Sequence, residues 1–311
     1  MTKSSIKLSS SIRESTNNFI ISTGGTDYLV QRCDFKLFPL NKVVVEKVTE
    51  FQEVLIADTT TFGRVLFLDG DLQSSEYDEA LYHEILVQPA MLFHEKPENI
   101  LVVGTGEGAT LREILKHKTA SRVVAVDIDR DVVKLCEEHL PGWHEGKMSD
   151  PRVEHVFKDG FEYLRETDET FDVAIMDIVS DLDDGPAGDL YTPEFYQLVK
   201  GRIKPGGLVA IQGMMLSHLA RESKCHLRLR NSVQQVFSRT YSYRASIPSF
   251  LSTWGFLLAS DWLLPEQIEA NNLENTIAQK EVGEKLKHLD GKAIEAAFTH
   301  NKALTALLNA G

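Results

Sequence analysis

The sequence predicts an α/β fold: a doubly wound, mostly parallel sheet preceded by a small antiparallel β domain. Three observations predict it. From Pro97 onward, short apolar runs alternate with helix-length segments, as strands buried between helices do. Val102-Val103-Gly104-Thr105-Gly106-Glu107-Gly108 reads as a strand-to-helix turn, and 20 residues past Glu107 an acid, Asp127, ends the next apolar run. Ahead of both, three β-prone runs separated by turn residues occupy 43–68, as hairpins would.

Taken in order, residues 1–30 are polar and hold several Gly, Ser, Thr and Asn, so they read as a flexible N-terminal arm. Residues 31–75 form the small domain: the runs Val43-Val44-Val45, 51–56 and 65–68 are parted by Thr49-Glu50 and by 59–63, and end at the turn Leu68-Asp69-Gly70. Residues 76–261 form a Rossmann-like domain. Its first helix, 76–93, carries Leu81, Ile85, Leu86, Met91 and Leu92 at helical spacing and is broken softly at Pro89. Strands are expected at 100–103, 123–126, 153–157, 171–176 and 208–211. Helices are expected at 109–117, 131–139, 161–164, 193–203 and 217–237, and a hairpin of 241–247 with 254–260 closes the sheet. Residues 262–311, rich in Ala, Glu and Lys, read as a helical extension on the outside.

Composition bounds the function. Of 311 residues, 42% are apolar and 25% charged, which suits a globular chain and excludes a disordered one. No apolar run approaches the roughly 18–20 residues of a membrane helix. The N-terminus is too polar for a signal peptide, and three scattered cysteines, Cys33, Cys136 and Cys225, make neither a disulfide framework nor a metal knuckle. A reducing cytoplasm fits. With 46 acids against 33 bases the net charge is −13, which argues against a nucleic-acid partner and permits a cationic ligand. The acids are not spread evenly. Residues 65–95 and 166–199 hold 17 of them and no Lys or Arg, while the other 246 residues carry 29 acids against 33 bases, or +4.

In the Gly-rich turn, glycines admit close backbone approach and the helix start offers free N–H groups. Asp127 at the end of the next strand can accept from both hydroxyls of a ribose. The Gly-x-Gly-x-Gly spacing lacks the last glycine of the dinucleotide fingerprint and suits an S-adenosyl ligand better. Asp159-Gly160 follows the third strand, where Asp159 can accept from an adenine amine or cap the next helix. Asp177 ends the fourth strand at the crevice where such sheets bind ligands. Asp181, Asp183, Asp184 and Asp189 crowd behind it in a loop with Gly185-Pro186; five aspartates without one base suit a cation, or form a solvated loop.

At these residues the chain resembles the spermidine synthase family of aminopropyltransferases, from about Val43 to Asp261. The resemblance rests on Leu-Asp-Gly-Asp-Leu-Gln-Ser-Ser-Glu-Tyr-Asp-Glu (68–79), Tyr82-His83-Glu84, the Gly-rich turn with Leu111-Arg112-Glu113, and Val-Asp-Ile-Asp (126–129). It continues through Ser149-Asp150-Pro151-Arg152-Val153, Asp159-Gly160, and Leu190-Tyr191-Thr192 followed by Glu194-Phe195-Tyr196. The stretch 247–261 is similar to the branch of thermospermine and aminopropylagmatine synthases rather than to the putrescine-specific one.

The resemblance implies a seven-stranded S-adenosylmethionine-transferase fold and transfer of an aminopropyl group from decarboxylated S-adenosylmethionine to a di- or polyamine. It implies no metal and no permanently bound cofactor. It implies that Gln52, Gln73, Gly104, Gly106, Glu107, Asp127, Asp159 and Gly160 surround the donor, with Glu107 on its terminal amine and Asp127 on its ribose. Tyr82, His83, Asp181 and Pro186 are implied to line the acceptor channel, with Asp177 as general base. A homodimer or homotetramer formed through the N-terminal β domain is implied as well. One departure stands out: the family's second acid after the fourth strand is Ser180 here, and Asp181 lies one step later. It leaves two other readings open, a methyl- or aminocarboxypropyltransferase using intact S-adenosylmethionine and a non-catalytic polyamine binder.

Overall fold

The computed structural model describes residues 13–15, 18–23, 25–30, 36–178 and 192–310. The chain divides into two compact units, Met1–Asp78 and Glu79–Gly311, so the boundary falls three residues later than 75/76.

The N-terminal unit is a seven-stranded meander whose sheet order follows the chain: β1 Arg13–Ser15, β2 Asn18–Thr23, β3 Thr26–Val30, β4 Leu37–Val48, β5 Glu53–Thr59, β6 Gly63–Leu68 and β7 Asp71–Ser75. Every pairing is antiparallel. Within the flexible arm expected at 1–30, the described residues 13–15, 18–23 and 26–30 are strands. Asn18–Thr23 and Thr26–Val30 pair with Thr23 opposite Thr26, and Gly25 takes φ +80°. A Gly-Gly pair between β-branched and aromatic residues is itself a hairpin signal, one that the polar content of the segment masks. The Leu68–Asp71 turn is as expected: Asp69 and Gly70 take φ +49° and +80°, and Asp69 Oδ1 accepts from the Glu53 N–H at 2.8 Å. In β4 the register shifts between Leu40 and Lys42 and again between Val43 and Val45. Those bulges absorb Asn41 and Val44, and the strand starts well before the Val43 run.

The second unit carries a sheet of β8 Asn99–Val103, β9 Arg122–Asp127, β10 Val153–Phe157, β11 Phe171–Met176, β12 Ile203–Met215, β13 Arg239–Ile247 and β14 Ser252–Ser260, in spatial order β10-β9-β8-β11-β12-β14-β13. The first five run parallel and β14 is antiparallel to both neighbours. Strand order reverses between β8 and β11, which opens a crevice at their carboxyl ends. The helices are α1 Glu79–Phe93, α2 Ala109–Ile114, α3 Arg130–His139, α4 Pro141–His144, α5 Gly160–Glu166, α6 Pro193–Gly201, α7 Lys224–Gln234, α8 Ala270–Gln279, α9 Gly291–Phe298 and α10 Lys302–Ala310.

α1 and α7 differ from expectation in ways that have a local cause. α1 runs unbroken through Pro89 and is buried on nearly every side, so packing outweighs the one backbone bond a proline removes. α7 begins at Lys224 rather than 217. Before it, Ser223 Oγ bonds both the N–H and the carbonyl of Ser217, each at 2.9 Å, a local side-chain alternative to helical hydrogen bonding. The C-terminal helices dock onto this unit: Phe298 stacks on Tyr243 at 4.5 Å and meets Phe93 edge-on at 6.2 Å, while Leu304 and Leu308 cluster with Leu216. No helix among the described residues is long and apolar enough to cross a membrane.

Candidate active site

The crevice is shaped by two glycines. Gly104, at φ +86°, follows β8, and a Cβ there would lie 2.1 Å from the Asp177 carbonyl oxygen. The turn and the end of β11 therefore press backbone to backbone, tied by the Asp177 N–H on the Val103 carbonyl at 2.9 Å. Gly106, at φ +44°, faces open space, as a ligand-facing position should. Gly160 starts α5 where a Cβ would meet Val103 Cγ1 at 2.7 Å, so packing on β8 already accounts for that glycine.

Asp127 stands at the end of β9 and accepts from the N–H groups of Thr105 at 2.8 Å, Gly106 at 2.9 Å and Asp129 at 2.9 Å. It braces the glycine turn and keeps lone pairs for further donors. Burial raises its pKa, and the bonds from Gly106, Asp129 and Thr105 oppose the rise. Asp159 caps α5 by accepting from the Glu162 N–H at 2.9 Å, with acceptor capacity left over.

Across the crevice, α1 presents Tyr82 and His83. Tyr82 Oη donates to Asp177 Oδ1 at 2.8 Å, and Thr110 Oγ1 donates to Asp177 Oδ2 at 3.2 Å. His83 Nε2 lies 3.5 Å from Glu107 Oε1 and 3.8 Å from Asp177 Oδ2. Glu107 and Asp177 are 14% and 17% exposed at their side chains, and His83 is 2% exposed. Burial lifts the Asp177 pKa above the usual carboxylate range, against the pull of His83, Tyr82 and Thr110. Burial pulls the His83 imidazole down, but Glu79, Glu107 and Asp177 outweigh it and carry its pKa up to about 9. At neutral pH a cationic imidazolium thus sits between two carboxylates.

Beneath it lies a charged pair. His83 Nδ1 donates to the Glu79 carbonyl at 2.7 Å, fixing the ring. Glu79 is held by a bidentate Arg112 at 2.9 Å on both oxygens, and Arg112 also reaches Glu113 at 3.0 Å and the Trp143 carbonyl at 2.5 Å. Bidentate guanidinium–carboxylate geometry is what makes such burial tolerable.

The second unit thus brings Tyr82, His83, Glu107 and Asp177 together, with Gly104 and Gly106 on the adjoining turn, Asp127 at the end of β9 and Asp159-Gly160 after β10. Gln52 precedes β5 and Gln73 lies on β7, both in the N-terminal unit. Asp181 and Pro186, with Ser180, lie outside the described residues. Sequence reasoning missed Thr110, the Glu79–Arg112 pair and Gln212. Gln212 donates to the Ile178 carbonyl at 2.6 Å and accepts from Trp254 Nε1 at 3.1 Å, next to Asp177. The spacing of Glu79 and His83, one helical turn apart, was the available signal. His117 is 1% exposed, and its Nε2 bonds Gln88 Oε1 at 2.8 Å. Among the described residues no group of His, Cys, Asp and Glu could hold a metal ion.

Comparison with known proteins gives the family. Residues 79–267 match the spermine/spermidine synthase domain, and residues 36–76 match the spermidine synthase tetramerisation domain. The chain is 48% identical over 275 residues to polyamine aminopropyltransferase 2 of Pseudomonas aeruginosa, covering 88% of this chain and 78% of the relative. It is 43% identical over 253 residues to the polyamine aminopropyltransferase of Aeropyrum pernix, covering 81% and 80%. Among solved structures, a spermidine synthase in complex with the transition-state analogue AdoDATO superposes with a TM-score of 0.81 at 26% identity, covering 89% of this chain and 91% of the other.

Proposed function

The chain belongs to the spermidine synthase family and is an aminopropyltransferase, and we propose that Asp177 is the base that readies its acceptor amine. The reaction moves the aminopropyl group of decarboxylated S-adenosylmethionine to a polyamine. The amine lone pair attacks the methylene beside the sulfonium, a C–N bond forms, and the C–S bond breaks toward sulfur, leaving neutral methylthioadenosine. A free amine of this kind has a pKa near that of lysine, about 10.4, so a proton must be removed before attack. Asp177 supports that role: it ends β11 at the crevice, is aimed by Tyr82 and Thr110, and is more basic than an ordinary carboxylate.

Glu107 takes the donor's terminal amine in this reading. It also discriminates between donors, because intact S-adenosylmethionine carries a carboxylate where the amine end would meet Glu107, and juxtaposed like charges cost several kcal/mol. Asp127 takes the ribose, Asp159 the adenine amine, and Gln52 and Gln73 border the donor. Tyr82, His83, Asp181 and Pro186 line the channel of a putrescine-, agmatine- or spermidine-like acceptor. Assembly as a homodimer or homotetramer through the N-terminal sheet is supported by the match of residues 36–76, and a reducing cytoplasm suits the free thiols of Cys136 and Cys225.

The test is a matrix of both donors against putrescine, agmatine, cadaverine, spermidine and norspermidine, followed by methylthioadenosine release. Release is expected only with the decarboxylated donor. In Glu107→Gln the preference for that donor should shrink at least tenfold; an unchanged preference removes Glu107 as selector.

A further inference from the structure

Far along the second unit, α7, β13 and the C-terminal helices line an open cleft of about 360 Å³, within the size range of small-ligand pockets. It contains none of the residues assigned to the reaction. Its lining includes Arg230 of α7, Thr240 of β13 and His300, which follows α9. Each of these three has a buried side-chain atom with no partner: Arg230 Nε, Thr240 Oγ1 and His300 Nδ1. Three orphaned polar atoms around one cavity are unusual, since buried polar groups are ordinarily satisfied.

Arg230 is the most telling. Its guanidinium has no ion-pair partner among the described residues, and burial alone depresses its pKa. Arg112, which is buried outright, has two carboxylates. A half-buried guanidinium whose Nε is shut away from solvent and has no carboxylate calls for an anion supplied from outside the chain. The remaining lining sets its character. Tyr241, Ile268, Phe298 and Leu308 offer an apolar wall, while Glu269 and Glu295 also line the cavity and repel an anion in proportion to its charge, which disfavours a multiply charged one most.

We propose that this cavity is a binding site for a small monocarboxylate with an apolar body, its carboxylate held by Arg230. Phenylacetate is a suitable probe, with methyl phenylacetate, phenethylamine and inorganic phosphate as controls. Calorimetric titration of the full-length protein should show saturable 1:1 binding of phenylacetate. The methyl ester and Arg230→Met should each weaken it at least tenfold, as expected for loss of a charge-assisted bond. Leu308→Trp, which fills the cavity and keeps Arg230, should abolish binding, and aminopropyl transfer should stay within twofold in both variants. Absence of saturable phenylacetate binding, undiminished binding in Arg230→Met, or tighter binding of phenethylamine or phosphate would overturn the proposal.

Discussion

The Tyr82 hydroxyl and the Asp177 carboxylate, 95 residues apart in the chain, meet at 2.8 Å. One sits on the first helix of the second unit and the other ends its fourth strand, so the bond spans the mouth of the crevice. It aims Oδ1 and stabilises its charged form.

Asp177→Asn keeps the shape and removes the proton acceptor. Turnover should fall by about 10²–10⁴-fold, with donor affinity changed less than threefold by calorimetry. Near-full activity in this variant would dismiss Asp177 as base.

Tyr82→Phe removes a bond that holds the Asp177 pKa down. The acid limb of the rate profile should therefore move to higher pH, with kcat at neutral pH falling roughly tenfold for a lost bond to a charged group. A profile that drops without moving would show that Tyr82 acts only through packing.

His83 makes stability pH-dependent on the alkaline side. Its folded pKa, about 9, lies above the ordinary 6.5. The contribution is complete below 6.5 and is lost as pH rises through 9. His117 and His226 act in the opposite direction, with folded values of about 3 and about 4 set first by burial; they cost stability as pH falls below 6.5. Denaturant titrations between pH 4 and 10 should show a maximum near neutrality, and His83→Gln should flatten only the alkaline limb.

Arg112→Met leaves Glu79 buried without its guanidinium. Loss of one partner from such a pair costs about 3–5 kcal/mol, measurable by urea unfolding. The double variant Glu79→Gln/Arg112→Met should recover part of that loss, since no lone charge remains. A double variant no more stable than the single one would show that the cost is packing rather than charge.

Much of this arrangement was legible before the structure, and the reasons differ by element. The sheet of the second unit follows from apolar runs such as Phe171–Met176, buried on both faces, where burial and periodicity agree. Asp127 and Asp177 were legible because acids at strand ends have few structural uses in this topology. Thr110 was not: a threonine in the first turn of α2 is indistinguishable from any other until β11 brings Asp177 beside it. The N-terminal hairpin hid behind polar composition. The Asp159 cap and the Gly160 packing give those motif positions a complete local use, which spacing alone cannot separate from a role in the site.

The charge on α1 has a consequence for redesign. Glu79 and His83 repeat along one side of a helix that is buried almost throughout, and Glu84 accepts from the N–H groups of Lys287, His288 and Leu289 at 2.6, 2.9 and 3.2 Å. The helix that supplies the mouth of the crevice is thus also the anchor for the C-terminal segment. Altering specificity by exchanging residues on α1 would disturb the attachment of distant chain. Laboratory evolution for new amines should accordingly spare α1.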